Sequence, residues 1–144
     1  MKLLQNEKGY RYSLDPFLLA SFVELKGNER VIDLGTGNGV IAILLAARYS
    51  GLQVAGVELQ SRLAEMAAEN VRQNGLEERV RIIQGDIREI RSLLTAGAFE
   101  AAVGNPPYRK AHTGRVSPHE EKAVARHELT LSLPWGGTSH PVWF

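Results

Sequence analysis

Apolar positions along the chain change period in a regular order. Val31, Ile32, Asp33 and Leu34 form a short run rich in β-branched side chains, which reads as a buried strand. It runs into Gly35, Thr36, Gly37, Asn38 and Gly39 and then into Val40, Ile41, Ile43, Leu44 and Leu45. A strand, a tight glycine turn and a helix apolar nearly all round therefore follow one another, the helix reaching about Tyr49. Upstream, residues 2–12 read as an extended or hairpin-like lead-in turning at Gly9. Asp15 and Pro16 then mark a helix start, aspartate as N-cap and proline in the first helical position. Leu14, Phe17, Leu18, Phe22 and Leu25 recur at helical spacing and predict that their face is core, with residues 26–28 ending the helix.

Downstream the alternation continues. Residues 53–57 predict a second strand ending at Glu58, and residues 60–73 an amphipathic helix with Leu63, Met66, Ala67 and Val71 on its core face and Gly75 as its stop. Residues 79–84 predict a third strand closed by Gly85 and Asp86, before a short helix carrying Ile87, Ile90 and Leu94. Residues 99–103 predict a fourth strand of small side chains that enters Gly104, Asn105, Pro106, Pro107 and Tyr108. Strands alternating with helices imply right-handed crossovers and a doubly wound α/β fold around a parallel sheet. Beyond a polar loop over residues 109–115, Ser117, Pro118, His119 and Glu120 form a capping box, predicting a helix to about Glu128. After Leu133 the periodicity stops: Pro134, Gly136, Gly137 and Pro141 interrupt Trp135, Trp143 and Phe144. The expected organisation is one domain over residues 1–133 and an irregular tail over 134–144.

Composition narrows this picture only a little. A chain of 144 residues suits a single domain, and a net charge of +1 means that contact with nucleic acid must come from a local patch. No cysteine is present, which excludes disulfide and thiol chemistry and suits a reducing compartment. No stretch has the apolar length of a signal peptide or a membrane span, so a cytoplasmic protein is the expectation. His112, His119, His127 and His140 follow no metal-ligand spacing, and no metal is expected.

The unusual residues cluster by position. In a parallel sheet, ligands bind at the carboxyl ends of the strands, and the glycine turn, Glu58, Asp86 and Asn105 all fall at such ends. The glycines stand at 35, 37 and 39 and are followed by Val40 and Ile41. That differs from the G-x-G-x-x-G of dinucleotide folds and lacks the lysine of a phosphate loop, so the turn favours a nucleoside-like ligand without a pyrophosphate. Glu58 can accept hydrogen bonds from both hydroxyls of a ribose. Asp86 can accept from an adenine amino group, with Leu59 and Ile87 placed to clamp the ring.

The run over residues 31–47, the Gly56, Val57 and Glu58 strand end, the Gly85 and Asp86 pair, and Asn105, Pro106, Pro107 and Tyr108 together resemble the class I S-adenosylmethionine-dependent methyltransferases. Within that superfamily, residues 5–22 and 109–128 are most similar to the bacterial tRNA(Val) adenine-N6 methyltransferases. The resemblance implies a Rossmann-like sheet with S-adenosyl-L-methionine as cofactor. It puts Tyr12 and Asp15 near the methionine end. Asp33 and the backbone of Gly35 and Gly37 would hold the amino-acid part, with Thr36 and Asn38 in the same turn, Glu58 the ribose, and Asp86 with Ile87 the adenine, and Leu59 and Asn105 are counted with these cofactor-binding residues. The family's sheet has seven strands in the order 3-2-1-4-5-7-6. Only about four, in the order 3-2-1-4, are readable here, so the C-terminal part is expected to be missing. A fourth strand left as an open edge offers a route to self-association.

An exocyclic amine on adenine, or the side-chain amide nitrogen of glutamine, is a poor nucleophile because its lone pair is delocalised. The amide oxygen of Asn105 and the carbonyl of Pro106 are two acceptors suited to drawing its hydrogens aside and holding it in line, and proline fixes the carbonyl direction. Pro107 completes the turn and Tyr108 offers a flat face to an extruded base. Arg109, Lys110 and Arg115 follow as candidate contacts to tRNA phosphates. The leading expectation is methyl transfer to adenine N6 in tRNA. Glutamine-N5 methylation of a protein such as a release factor, DNA adenine methylation, and a cofactor-binding fragment without turnover are the alternatives.

Overall fold

The structure, a computed structural model, describes residues 2–4, 14–95, 97–105 and 142–143. Its elements run α1 (Asp15–Phe22), β1 (Arg30–Leu34), α2 (Val40–Arg48), β2 (Gln53–Glu58), α3 (Ser61–Gln73), β3 (Val80–Gln84), a 3-10 turn (Ile87–Glu89) leading into α4 (Ile90–Leu93), β4 (Ala101–Gly104) and β5 (Val142–Trp143). The sheet order is β3-β2-β1-β4-β5 and every pairing is parallel. The predicted 3-2-1-4 order is therefore present. The sequence pattern left the tail outside the sheet and β4 as an open edge, yet Val142 and Trp143 pair with Val103 and Gly104. An unpaired strand presents a row of backbone donors and acceptors that templates such an addition. The helix expected from Ser117 lies outside the described residues, as do residues 134–141.

The main core lies on one face of the sheet. Val31, Val54, Val80 and Val103 from the strands meet Ile41, Ile43, Leu45 and Val71 from α2 and α3, with Leu19, Ala20 and Val23 from the α1 region. Ile32, Leu34, Val57 and Ala102 point to the other face, where Ile87, Ile90 and Leu93 pack on them. Successive strand residues thus alternate between two cores, as a sheet covered on both faces requires. Helix α2 is buried at Val40, Ile41, Ala42, Ile43, Leu45 and Ala46, in keeping with its nearly continuous apolar sequence. Its last carbonyls are met by a side chain: one Arg79 guanidinium nitrogen donates to Ala46 O at 2.6 Å and to Tyr49 O at 3.1 Å. A cation there also complements the negative end of the helix.

Helix α1 departs from the sequence reading in phase. Leu14 is 67% exposed and Phe22 66%, whereas Pro16, Leu19 and Ala20 are buried. Nearly every position of the segment is apolar, so two stripes fit helical spacing, and packing against α2 selects the one carrying the small Ala20. The N-cap also shifts. It is Leu14 in helical conformation without a side-chain cap, and Asp15 occupies the first turn, where its charge suits the helix dipole. Met66, expected in the core, is half-buried, and the core face of α3 is made by Leu63, Ala64, Ala67, Asn70 and Val71.

Candidate functional site

The strand registers bring the chemistry to one edge. Leu34 pairs with Val57 and with Gly104, and Glu58 pairs with Gln84. One residue beyond Leu34 and Gly104, Gly35, Glu58 and Asn105 therefore stand at one level at the carboxyl ends of three adjacent strands. Asp86 follows two residues after the end of β3. The glycine turn between β1 and α2 is built on positive backbone angles, with φ of +70° at Gly35, +59° at Gly37 and +83° at Gly39. Any other residue is strained there. Gly39 also caps α2, and a Cβ on it would stand 3.2 Å from Ala67 Cβ on α3. On β2, a Cβ at Gly56 would lie 2.9 Å from the Thr36 side chain. Glycine at 56 is what lets Thr36 fold inward and donate its hydroxyl to Asp33 Oδ2 at 2.6 Å.

Four backbone donors of the turn are already engaged. The N–H groups of Gly35 and Thr36 both donate to Val57 O, at 2.9 and 3.0 Å, and Gly39 N–H donates to Thr36 O at 2.9 Å. Gly37 N–H donates to Glu58 Oε2 at 2.9 Å, while Gln60 N–H donates to Glu58 Oε1 at 2.9 Å. A phosphate site needs free N–H groups pointing at the ligand, and these four are turned inward.

Both carboxylates are buried, Asp33 fully and Glu58 with 6% of its surface exposed. Burial pushes the Asp33 carboxyl up to about 7; the Thr36 hydroxyl and the backbone at Ala42 pull the other way, and the negative charge of Glu58 adds to the rise. Glu58 is also raised by burial, against the pull of the N–H groups of Gln60, Gly37 and Leu59. Asp33 Oδ1 is buried with no hydrogen-bond partner among the described residues. A buried acceptor left unmatched beside a second buried carboxylate marks a place that a donor or a cation completes. The donor set fits S-adenosylmethionine on this ground, because that molecule carries an ammonium, a sulfonium and two ribose hydroxyls. A phosphate ligand does not fit it.

The other sequence-selected residues are placed as follows. Asn38 is buried, and its side-chain Nδ2 donates to Leu4 O at 3.1 Å. Leu59 is 39% exposed next to Glu58. Asp86 caps the 3-10 turn by accepting from Arg88 N–H at 2.9 Å, and it is ion-paired with the Arg88 guanidinium, which holds its carboxyl below the ordinary range. An adenine amino group would share Asp86 with Arg88. Ile87 is half-buried against the second core. Asp15 is exposed at the start of α1, and Asn105 is half-buried at the end of β4. Tyr12, Pro106, Pro107, Tyr108, Arg109, Lys110 and Arg115 lie outside the described residues. Among the described residues, no group of three histidine, cysteine or acidic side chains is arranged to hold a metal ion, and no helix is long and apolar enough to cross a membrane.

Three contributions escaped the sequence reading. These are Gly56 as the seat of Thr36, Arg88 as the partner of Asp86, and Asn70, a fully buried amide on α3 that donates to Asn38 O at 2.9 Å. Asn70 had a visible signal: it is a polar residue on the apolar stripe formed by Leu63, Ala67 and Val71.

Comparison with known proteins agrees with this geometry. The chain is 33% identical over 132 residues to a tRNA1(Val) (adenine(37)-N6)-methyltransferase of Haemophilus influenzae strain PittEE, covering 91% of this chain and 56% of that protein. It is 36% identical over 107 residues to the protein of the same name from Porphyromonas gingivalis strain W83, covering 73% of this chain and 41% of that one. The chain spans about half the length of the curated relatives it matches. Among solved structures, a predicted O-methyltransferase of Agrobacterium tumefaciens, protein Atu636, superposes with a TM-score of 0.58 at 27% identity, over 65% of this chain and 49% of that one. Residues 15–129 match the methyltransferase small domain model, and with the parallel 3-2-1-4 sheet and the acceptor-lined turn in place, this chain belongs to the methyltransferase small domain family.

Proposed function

We propose that this chain carries the S-adenosyl-L-methionine site of an enzyme that methylates the exocyclic N6 amine of an adenine in tRNA, in the cytoplasm. The observation that carries the cofactor half of this reading is the turn over residues 33–39. Four of its N–H groups are engaged internally, and beside it lie the buried Glu58 and an Asp33 oxygen without a hydrogen-bond partner among the described residues. The names of the relatives support the substrate half. When bound, the cofactor supplies an electrophilic methyl group on a positively charged sulfur. Asp33, with the carbonyls of Gly35 and Gly37, holds the cationic amino-acid end, and Glu58 takes the ribose hydroxyls on the lone pairs that Gly37 and Gln60 leave free. Asp86, steadied by Arg88, accepts from the adenine amino group, and Leu59 and Ile87 flank the ring.

At the end of β4, the amide oxygen of Asn105 accepts one hydrogen of the substrate amine, and the carbonyl of Pro106 accepts the other. Holding both hydrogens aims the nitrogen lone pair at the methyl group, the differential positioning that raises the rate. An amide is no base at neutral pH, so the proton of the methylated amine leaves to solvent. Tyr108 stacks the extruded base, and Arg109, Lys110 and Arg115 grip phosphates.

Incubating the chain with methyl-labelled cofactor and either undermodified tRNA or a release factor tests this. Label is expected in the RNA, and label in the protein alone overturns the choice of substrate. Asn105→Ala is expected to abolish transfer while leaving cofactor affinity within about 3-fold of wild type, since it removes an acceptor for the substrate and not for the cofactor. Loss of cofactor binding instead removes Asn105 from the catalytic role. A second reading, cofactor binding without turnover, is favoured by the chain spanning about half the length of its relatives. Calorimetric binding with no transfer to tRNA selects it.

A further inference from the structure

Among the described residues five polar side chains are buried: Asp33, Thr36, Asn38, Glu58 and Asn70. Four belong to the glycine turn or the strand ends beside it, and the fifth stands on α3. Asn70 is completely bonded. Its Oδ1 accepts from Leu4 N–H at 2.6 Å, and its Nδ2 donates to Leu4 O at 3.1 Å and to Asn38 O at 2.9 Å. Asn38 closes the triangle by donating its own Nδ2 to Leu4 O at 3.1 Å. One helical turn further on, Asn74 repeats the two-point grip on Lys2, accepting from its N–H at 2.9 Å and donating to its carbonyl at 2.6 Å. Asn74 Nδ2 also donates to Asn70 O at 2.8 Å.

The spacing explains why two asparagines four apart can do this. Four residues of helix rise about 6 Å, and two residues of extended chain advance about 6.6 Å. Alternate residues of a strand laid along a helix therefore meet side chains at i and i+4. Residues 2–4 run antiparallel to α3, with Lys2 and Leu4 held by amides while Leu3 packs against the main core.

We propose that Asn70 is a positioning residue for the cofactor turn: it fastens residues 2–4 and Asn38 into one hydrogen-bonded unit, so that cofactor binding at the turn and docking of the N-terminal residues reinforce each other. The proposal rests on the reading of the turn as the cofactor site. Asn38 lies between Gly37, whose N–H is held by Glu58, and Gly39, which opens α2. Fixing both the carbonyl and the side chain of Asn38 therefore fixes the two peptides on either side of it. By linkage, whatever holds the turn in its bound shape holds residues 2–4, and the reverse is true to the same degree.

The test is calorimetric binding of S-adenosylhomocysteine to the full chain and its variants, with thermal unfolding measured in parallel. Asn70→Ala is expected to weaken binding about 10-fold or more, within the range of ordinary coupling. Asn70→Asp keeps the acceptor for Leu4 N–H but has no hydrogen for the Asn38 carbonyl, and is expected to lose about as much. Asn74→Ala, which releases Lys2 but keeps the bonds of Asn70 to Leu4 and Asn38, is expected to cost less than Asn70→Ala, about 2- to 3-fold. Deleting residues 1–4 is expected to match Asn70→Ala in cost and to add little to it, the non-additivity of a shared interaction. Saturating ligand is expected to slow hydrogen exchange at the Lys2 and Leu4 amides in wild type and not in Asn70→Asp, a response that general loss of stability would not produce. Folded Asn70 variants that bind like wild type, or wild-type amides that ignore the ligand, overturn the coupling. Wild-type chain that binds no ligand overturns the cofactor reading itself.

Discussion

Asp33 is a residue whose environment makes a measurable statement about pH. Its carboxyl sits under the N-terminal end of α2, wholly buried, with one oxygen held by Thr36 and the other without a hydrogen-bond partner among the described residues. Burial raises its folded pKa to about 7 from an ordinary value of 3.8. The folded ligand-free chain therefore keeps a proton that the unfolded chain has released, and its stability is expected to fall as pH rises from about 4 to about 7 and then to level off. Glu58, also raised, adds in the same direction. The surface carboxylates Glu69 and Glu100, held down at about 2 by Arg72 and Arg30, act oppositely but below that window. Denaturant unfolding at intervals from pH 5 to pH 8 checks the slope, and Asp33→Asn is expected to flatten it. A cationic ligand requires the ionised form, so cofactor affinity is expected to climb as pH rises toward 7. Asp33→Asn is expected to lose roughly 10- to 100-fold in affinity, the worth of a charge-assisted hydrogen bond. An affinity that is flat with pH would detach Asp33 from the ligand.

At the scale of elements, local pattern and tertiary packing divide the credit. The strand, glycine turn and helix over residues 30–48 were readable because every local signal agreed: β-branched strand residues, glycines where φ is positive, and a helix apolar on all sides. The site edge was readable for a related reason, since topology alone sends each strand's carboxyl end to one side. Helix α1 was not readable in phase, because eight residues with apolar side chains at most positions satisfy two stripes and only contact with α2 decides between them. Leu19→Ala is accordingly expected to cost about 2–4 kcal/mol, as for a buried leucine, while Leu14→Gln costs less than about 0.5 kcal/mol. The reverse ranking in chemical denaturation would restore the stripe the sequence suggested. Asn70 was not readable because one amide within an apolar stripe counts against the pattern until its partners from residue 4 and the turn are known. Gly39→Ala joins two costs, a left-handed backbone at +83° and a Cβ 3.2 Å from Ala67. It is expected to destabilise the chain by about 1–3 kcal/mol and to weaken cofactor binding with it, since the same peptide ends the turn and begins the helix.

At the scale of the whole molecule, charge separates the two binding events that the proposed function requires. A net charge of +1 gives little long-range attraction to a polyanion, so the proposed grip on tRNA has to be local, and Arg109, Lys110 and Arg115, which follow the proposed catalytic turn in sequence, are its candidates. The carboxylates proposed to hold the cofactor, Asp33 and Glu58, are by contrast removed from solvent and so poorly screened by dissolved ions. Salt is therefore expected to act on one equilibrium and not the other. Three phosphate contacts predict a log–log slope of about −2 to −3, or a loss of about 10- to 20-fold in tRNA affinity between 50 and 150 mM salt. Cofactor affinity is expected to change by less than about 2-fold over the same range. Replacing the three cations by serine should flatten the tRNA slope and leave the cofactor isotherm unchanged. A tRNA affinity that ignores salt would mean that base stacking and shape, rather than these cations, hold the RNA. A cofactor affinity that falls steeply with salt would mean that Asp33 and Glu58 are open to water, which contradicts their burial.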